Sequence, residues 1–197
     1  MTWTLFLIGL HPNVQSKIHE ELDFVFGDDI DRPVTMDDFK DLKYLECVYK
    51  ESNRLYPSAP IFARELIEDT IICGYPVPKG TTCLVEVFHL HRDEDVFPNP
   101  EIFDPDRFLQ ENSTDRQSFA YVPFPAGPRN CIGQRFATME VKVVLSTILR
   151  HNTVESLDSR DVILPSLKIH MKPSIPVRLR IRPRNPRENI LTPNIYK

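Results

Sequence analysis

Proline divides this chain into stretches that can be helix and stretches that cannot. Eighteen of its 197 residues are proline, and only Pro12 and Pro33 precede residue 57. Inside a helix, proline removes a backbone hydrogen bond and clashes with the preceding turn. Helices are therefore expected before Tyr56-Pro57 and after Cys131, with long ordered non-helical connections between them. Pro12 itself suits the first turn of a helix. Val14, Ile18, Leu22 and Val25 follow at helical spacing, and Gly27 is a fitting stop. Thr35-Met36-Asp37-Asp38 reads as a cap. The helix beyond it carries Leu42, Leu45, Val48 and Leu55 on one face and ends at Tyr56-Pro57.

The middle of the chain changes period. Ile71 to Gly80 has the look of a hairpin with glycine and proline at its turns, and Thr81 to Val87 is a second β-prone run. Residues 92–122 read as a long coil meander, and such loops inside compact domains are usually functional. A helix after Cys131 carries Phe136, Met139, Val143 and Ile148 and runs to about His151. Val177 to Arg182 alternates apolar residues with arginines, as a half-buried strand with a solvated face does. The class is thus mainly α with small β-sheets, α+β. One body is expected over residues 1–183 and a disordered tail from 184 to 197.

The run Trp3 to Leu10 is apolar but too short to span a bilayer, and it lacks the basic start of a signal peptide. It reads as the end of a buried helix, so no membrane anchor is expected within the chain. Formal net charge is −4, which gives no overall attraction to nucleic acid. Cys47, Cys73, Cys83 and Cys131 make no Cys-x-x-Cys pair and no zinc spacing, so reduced thiols are expected.

One cysteine stands apart. Phe124-Pro125-Ala126-Gly127-Pro128-Arg129-Asn130-Cys131-Ile132-Gly133 holds two of the chain's six glycines. Gly127 allows a sharp turn or a positive φ. Gly133 removes a side chain just past the sulfur, so something flat can approach. Unpaired N–H groups at a helix start, together with Arg129, favour thiolate over thiol. A thiolate held this way is a good axial ligand for haem iron.

This segment resembles the haem-binding loop of the cytochromes P-450, a family of haem-thiolate monooxygenases. The resemblance implies that Cys131 is the proximal iron ligand, that Phe124 packs near the sulfur and that Arg129 pairs with a haem propionate. Pro125 departs from the family, which usually has a small polar residue or histidine there. Two further signatures occur in the family's order. Tyr49 to Pro57 contains a Glu-x-x-Arg helix, and Phe103 to Phe108 contains a Pro-x-Arg-Phe meander. They imply a buried triad of Glu51, Arg54 and Arg107 that locks the meander beneath the haem side. Arg64 stands where the family has a second propionate-binding residue. Ser58 to Phe62 would line the substrate side, and His91 would pack or hydrogen-bond.

The resemblance covers Thr2 to about Pro183, is nearest to the branch of fatty-acid ω-hydroxylases and insect relatives, and identifies the chain as the C-terminal part of that fold. It implies insertion of one oxygen atom of O₂ into a C–H bond of a lipophilic substrate such as a fatty acid. Electrons would come from an NADPH-dependent flavoprotein reductase, which a basic face around Lys142 and Arg129 would partly receive. The family works at the cytoplasmic face of the endoplasmic reticulum membrane, attached through an N-terminal anchor. The family's acid–alcohol pair for oxygen activation would lie before Met1, so no proton-relay residue is expected in the chain and, as it stands, it is not expected to turn over substrate. An inert haem-binding or interaction module is the alternative reading.

Overall fold

The computed structural model describes residues 1–114, 116–167 and 169–184. Two helices open the chain, α1 (Thr2–Leu10) and α2 (Pro12–Phe26). Pro12 occupies the first turn of α2, and Gly27 ends it at φ 54°. Phe6, Leu7 and Ile8 of α1 are completely buried, which makes the short apolar run a core helix. α1 lies directly on a strand near the other end of the chain. A Cβ added at Gly9 would stand 2.6 Å from the backbone nitrogen of Ser156, far inside van der Waals contact. Glycine here is a requirement of close approach, not of backbone conformation.

The helix expected after Thr35 is broken in two. α3 (Asp38–Asp41) and α4 (Lys43–Leu55) are separated at Leu42, where the backbone leaves helical geometry at ψ 62°. The expected cap is not formed: α3 starts after Asp37 with no side-chain cap bond, and the Thr35 hydroxyl donates instead of accepting, so that the Asp38 carboxylate accepts from the Thr35 amide at 2.6 Å and the Thr35 hydroxyl at 2.9 Å. Both terminal nitrogens of Arg32 also donate to it. The break exposes the first N–H groups of α4, and Glu21 of α2 covers them. Its carboxylate accepts from the Tyr44 and Leu45 amides at 2.5 and 2.9 Å. A negative group at a helix N-terminus satisfies orphan donors and suits the helix dipole.

The strands form four two-stranded antiparallel ladders. β1 (Ile61–Glu65) pairs with β4 (Thr82–Glu86), placing Arg64 opposite Cys83. β2 (Thr70–Ile72) and β3 (Tyr75–Val77) make the hairpin, turned by Cys73 and Gly74, both at positive φ. This matches the two-residue turns that fit strand twist. α5 (Val87–Leu90) leads into the meander, which contains a 3-10 turn (Pro105–Phe108) and α6 (Gln110–Ser113). After α7 (Gln134–His151), β5 (Asn152–Ser156) pairs with β8 (Leu179–Pro183), and β6 (Pro165–Ser166) with β7 (Lys172–Pro173). The arginines of β8 and the residue before it meet carboxylates. Arg180 and Arg182 lie by Glu155, and Arg178 by Asp158.

The main core cluster is drawn mostly from α1, α2, α4, α7 and β5, and a smaller second one joins Cys47, Phe97 and Phe108. Leu42, Leu45, Val48 and Leu55 are all fully buried, as their spacing implied. α7 departs from expectation. Its buried stripe is Val141, Leu145 and Leu149, while Phe136 is 71% exposed and Met139 and Val143 are about a third exposed. The helix is apolar on more than one side, and packing on α2 and α4 selects the stripe that faces them. Lys142 lies on that buried side. Its ammonium donates to the Phe39 carbonyl and pairs with Glu46 at 2.6 Å, so it is no part of a basic docking face. Arg184, expected to open a disordered tail, donates from its backbone to the His151 carbonyl and from its side chain to Asp23. Residues 185–197 of that expected tail lie outside the described residues.

Candidate functional site

Cys131 sits three residues before α7, in a loop rather than in the helix's first turn. Gly127 is at φ 88°, a conformation that favours glycine. The Asn130 amide then donates back to the Gly127 carbonyl at 3.0 Å, and the Cys131 amide to the Pro125 carbonyl at 3.3 Å. Pro125 gives up its own donor, yet its carbonyl serves the turn. The Cys131 carbonyl accepts from Gln134, which joins the loop to α7. Gly133 needs no unusual φ. Its absent Cβ would meet one atom within 4 Å, the Cys131 sulfur at 4.0 Å. The missing side chain therefore leaves open the space beside the sulfur. The sulfur's residue is half-buried, the next residue Ile132 is fully exposed, and Phe124 is half-buried.

β1 brings Arg64 to this loop. One terminal nitrogen donates to the Arg129 carbonyl at 3.1 Å, and the other to the Ala63 carbonyl at 2.8 Å. The guanidinium also covers the Phe62 ring. Among the described residues neither Arg64 nor Arg129 has a carboxylate within salt-bridge distance. Two unpaired cations beside an accessible thiol form a donor set that fits haem, whose rim carries two carboxylates and whose iron takes an axial sulfur.

Beneath the loop lies a closed polar cluster. Arg54 grips Glu51 through two bonds, at 2.7 and 2.8 Å, and both side chains are fully buried. Such forked geometry is the strongest form of this pair. The remaining lone pairs and protons are largely used. Glu51 also accepts from the Asp104 amide at 3.0 Å, and Arg54 donates to the carbonyls of His91 and Ile102. Burial pushes the Glu51 carboxyl up, while the Arg54 bonds favour its charged form. Arg107 stands 3.6 Å from Glu51 through its Nε, an ionic contact without a hydrogen bond. Its terminal nitrogen donates instead to the Asn99 carbonyl. Phe97 is fully buried between the guanidiniums of Arg54 and Arg116.

Sequence spacing gave no sign of how this cluster reaches the loop. The Tyr121 hydroxyl donates to the Lys50 carbonyl of α4 at 2.9 Å. The Val122 amide donates to the His91 ring at 2.9 Å, and the His91 and Tyr121 rings stack. The partners are 71 and 31 residues apart, beyond the reach of any local pattern.

The family described as Cytochrome P450 matches residues 1–179. Cytochrome P450 4V2 of Homo sapiens is 50% identical over 185 residues, which are 94% of this chain and 35% of that protein. Cytochrome P450 4c3 of Drosophila melanogaster is 48% identical over the same shares of each chain. Cytochrome P450 4c21 of Blattella germanica is 44% identical, over 94% of this chain and 37% of that protein. The chain thus spans a little over a third of the length of these curated relatives. Because the match runs through the Cys131 loop and the Glu51–Arg54 pair alike, this chain belongs to the cytochrome P450 family.

Proposed function

We propose that this chain is the haem-thiolate part of a monooxygenase acting on a lipophilic substrate such as a fatty acid. The observation that carries the reading is Cys131 held in an open loop beside two arginines without carboxylate partners among the described residues. Cys131 would supply the axial sulfur, and Arg64 and Arg129 would hold the two propionates. Inserting one oxygen atom of O₂ into a C–H bond is the chemistry of the bound haem. The chain's own residues position it. Gly127 sets the turn that presents the sulfur, and Gly133 keeps the space beside it clear. The bonds of Pro125 and Gln134 to Cys131 fix the loop on α7. Phe124 and Ile132 add apolar surface around the sulfur, and Ser58 to Phe62 would face the substrate.

Electrons would come from an NADPH-dependent flavoprotein reductase at the cytoplasmic face of the endoplasmic reticulum membrane. Among the described residues no helix is long and apolar enough to cross a membrane. The test is the full-length, haem-loaded protein. Its reduced carbon monoxide complex should show the red-shifted Soret band of thiolate ligation. Cys131→Ser should abolish that band, and a variant that keeps it would overturn the reading. Turnover of medium-chain fatty acids with a supplied reductase then tests the substrate class.

A further inference from the structure

The described contacts leave one buried titratable ring whose partners are unusual. His91 has no solvent exposure, and it bonds in two directions at once. Its carbonyl accepts from Arg54 of the closed cluster at 2.9 Å. Its ring Nε2 faces the Val122 amide at 2.9 Å, two residues before Phe124. An amide can only donate, so Nε2 must be the acceptor. The ring is therefore neutral, with its proton on Nδ1. A proton added at Nε2 would point into the Val122 N–H and sever the link. The surroundings oppose that proton. Burial and the neighbouring Arg54 charge lower the His91 pKa to about 4. The Tyr121 ring stacks on the imidazole with centroids 4.9 Å apart and restricts its rotation.

We propose that neutral His91 is a positioning residue that transmits the placement of the Glu51–Arg54 pair to the Cys131 loop. The route is continuous. Glu51 fixes Arg54, Arg54 fixes the His91 backbone, and the His91 ring fixes Val122. From Val122 the chain runs directly into the turn that presents the sulfur. Tyr121 bonds α4 independently through Lys50, so the loop entry is held at two adjacent residues. Only the histidine bond depends on a protonation state. The inference rests on Cys131 as the iron ligand for its spectroscopic arm alone.

His91→Leu removes the acceptor and keeps apolar bulk, whereas His91→Gln retains an oxygen at similar reach. Two measurements on the full-length protein test the role. In the haem-loaded protein, His91→Leu should move much of the reduced carbon monoxide complex from the thiolate band to the band of neutral thiol ligation. His91→Gln should restore the thiolate band. In haem-free protein, alkylation of Cys131 by iodoacetamide, read by mass spectrometry, should rise about tenfold in His91→Leu and return towards wild type in His91→Gln. Thermal melts of both variants separate positioning from stability. If both variants lose stability alike and both keep the wild-type band and alkylation rate, His91 is a structural residue and the proposal is overturned. If wild-type protein shows no thiolate band, the haem reading fails, and the alkylation comparison still decides the role of His91.

Discussion

The Glu51 cluster and the Cys131 loop hold arginines in opposite ways. Around Glu51 the charges are dry, forked and almost fully hydrogen-bonded, and Arg54 has no exposed surface. Around Cys131 the arginines are half or fully exposed, and among the described residues they meet carbonyls rather than carboxylates. A buried, satisfied arginine serves the fold. An exposed one that lacks its counter-charge is available to a ligand. The same residue type therefore has two roles, and burial together with partner chemistry tells them apart.

Three substitutions or conditions would break or sharpen this contrast. The largest effect is expected in the closed cluster. Glu51→Gln should destabilise the protein by about 3–5 kcal/mol, because it leaves Arg54 buried and uncompensated. Chemical denaturation of the variant checks this, and a loss under 1 kcal/mol would remove the distinction between the regions.

The next effect is acid sensitivity. His91 and His19 are both buried, and burial, chiefly, lowers each pKa to about 4. In the unfolded chain both would titrate near the ordinary value of about 6.5. Stability should thus be complete above about pH 6.5. It should fall as pH drops towards about 4, because the unfolded state binds the extra protons. The slope is at most about 1.4 kcal/mol per pH unit for each histidine. Melts from pH 7.5 to 4.5 test it, and a flat profile in His91→Gln together with His19→Gln would assign the slope. The smallest effect on stability is expected at the open site. Arg64→Ala should change stability by no more than about 0.5 kcal/mol. It should nevertheless weaken haem retention, measured by transfer of haem to apomyoglobin.

Much of this was legible from residue order, and the gaps have physical causes. α2 declared itself through Pro12, its apolar period and Gly27, all of which are local signals. The Gly127 turn was legible for the same reason, since positive φ narrows the choice of residue. Glu51 and Arg54 lie one helical turn apart, so their contact follows from spacing. The stripe of α7 that is buried did not follow. Phe136, Met139 and Val143 are as apolar as Val141 and Leu145, and only the neighbours choose between them. The break at Leu42 was equally hidden, because the capping group comes from Glu21 on another helix. His91 carried no sign of its bond to Val122, which exists only once the meander has folded back.

The contact of Gly9 with β5 has a consequence for how the protein is made. Gln15, at the start of the neighbouring helix, exchanges two hydrogen bonds with Val154 across 139 residues of sequence. α1 and α2 therefore leave the ribosome long before the strand that covers them. Until that strand arrives, Phe6, Leu7 and Ile8 have no lid over the Gly9 side. Closing so long a loop is slow and costs chain entropy. The nascent chain should then depend on holding chaperones while the residues between α2 and β5 are made, and a stop codon shortly before residue 152 should yield a product that is degraded rather than folded.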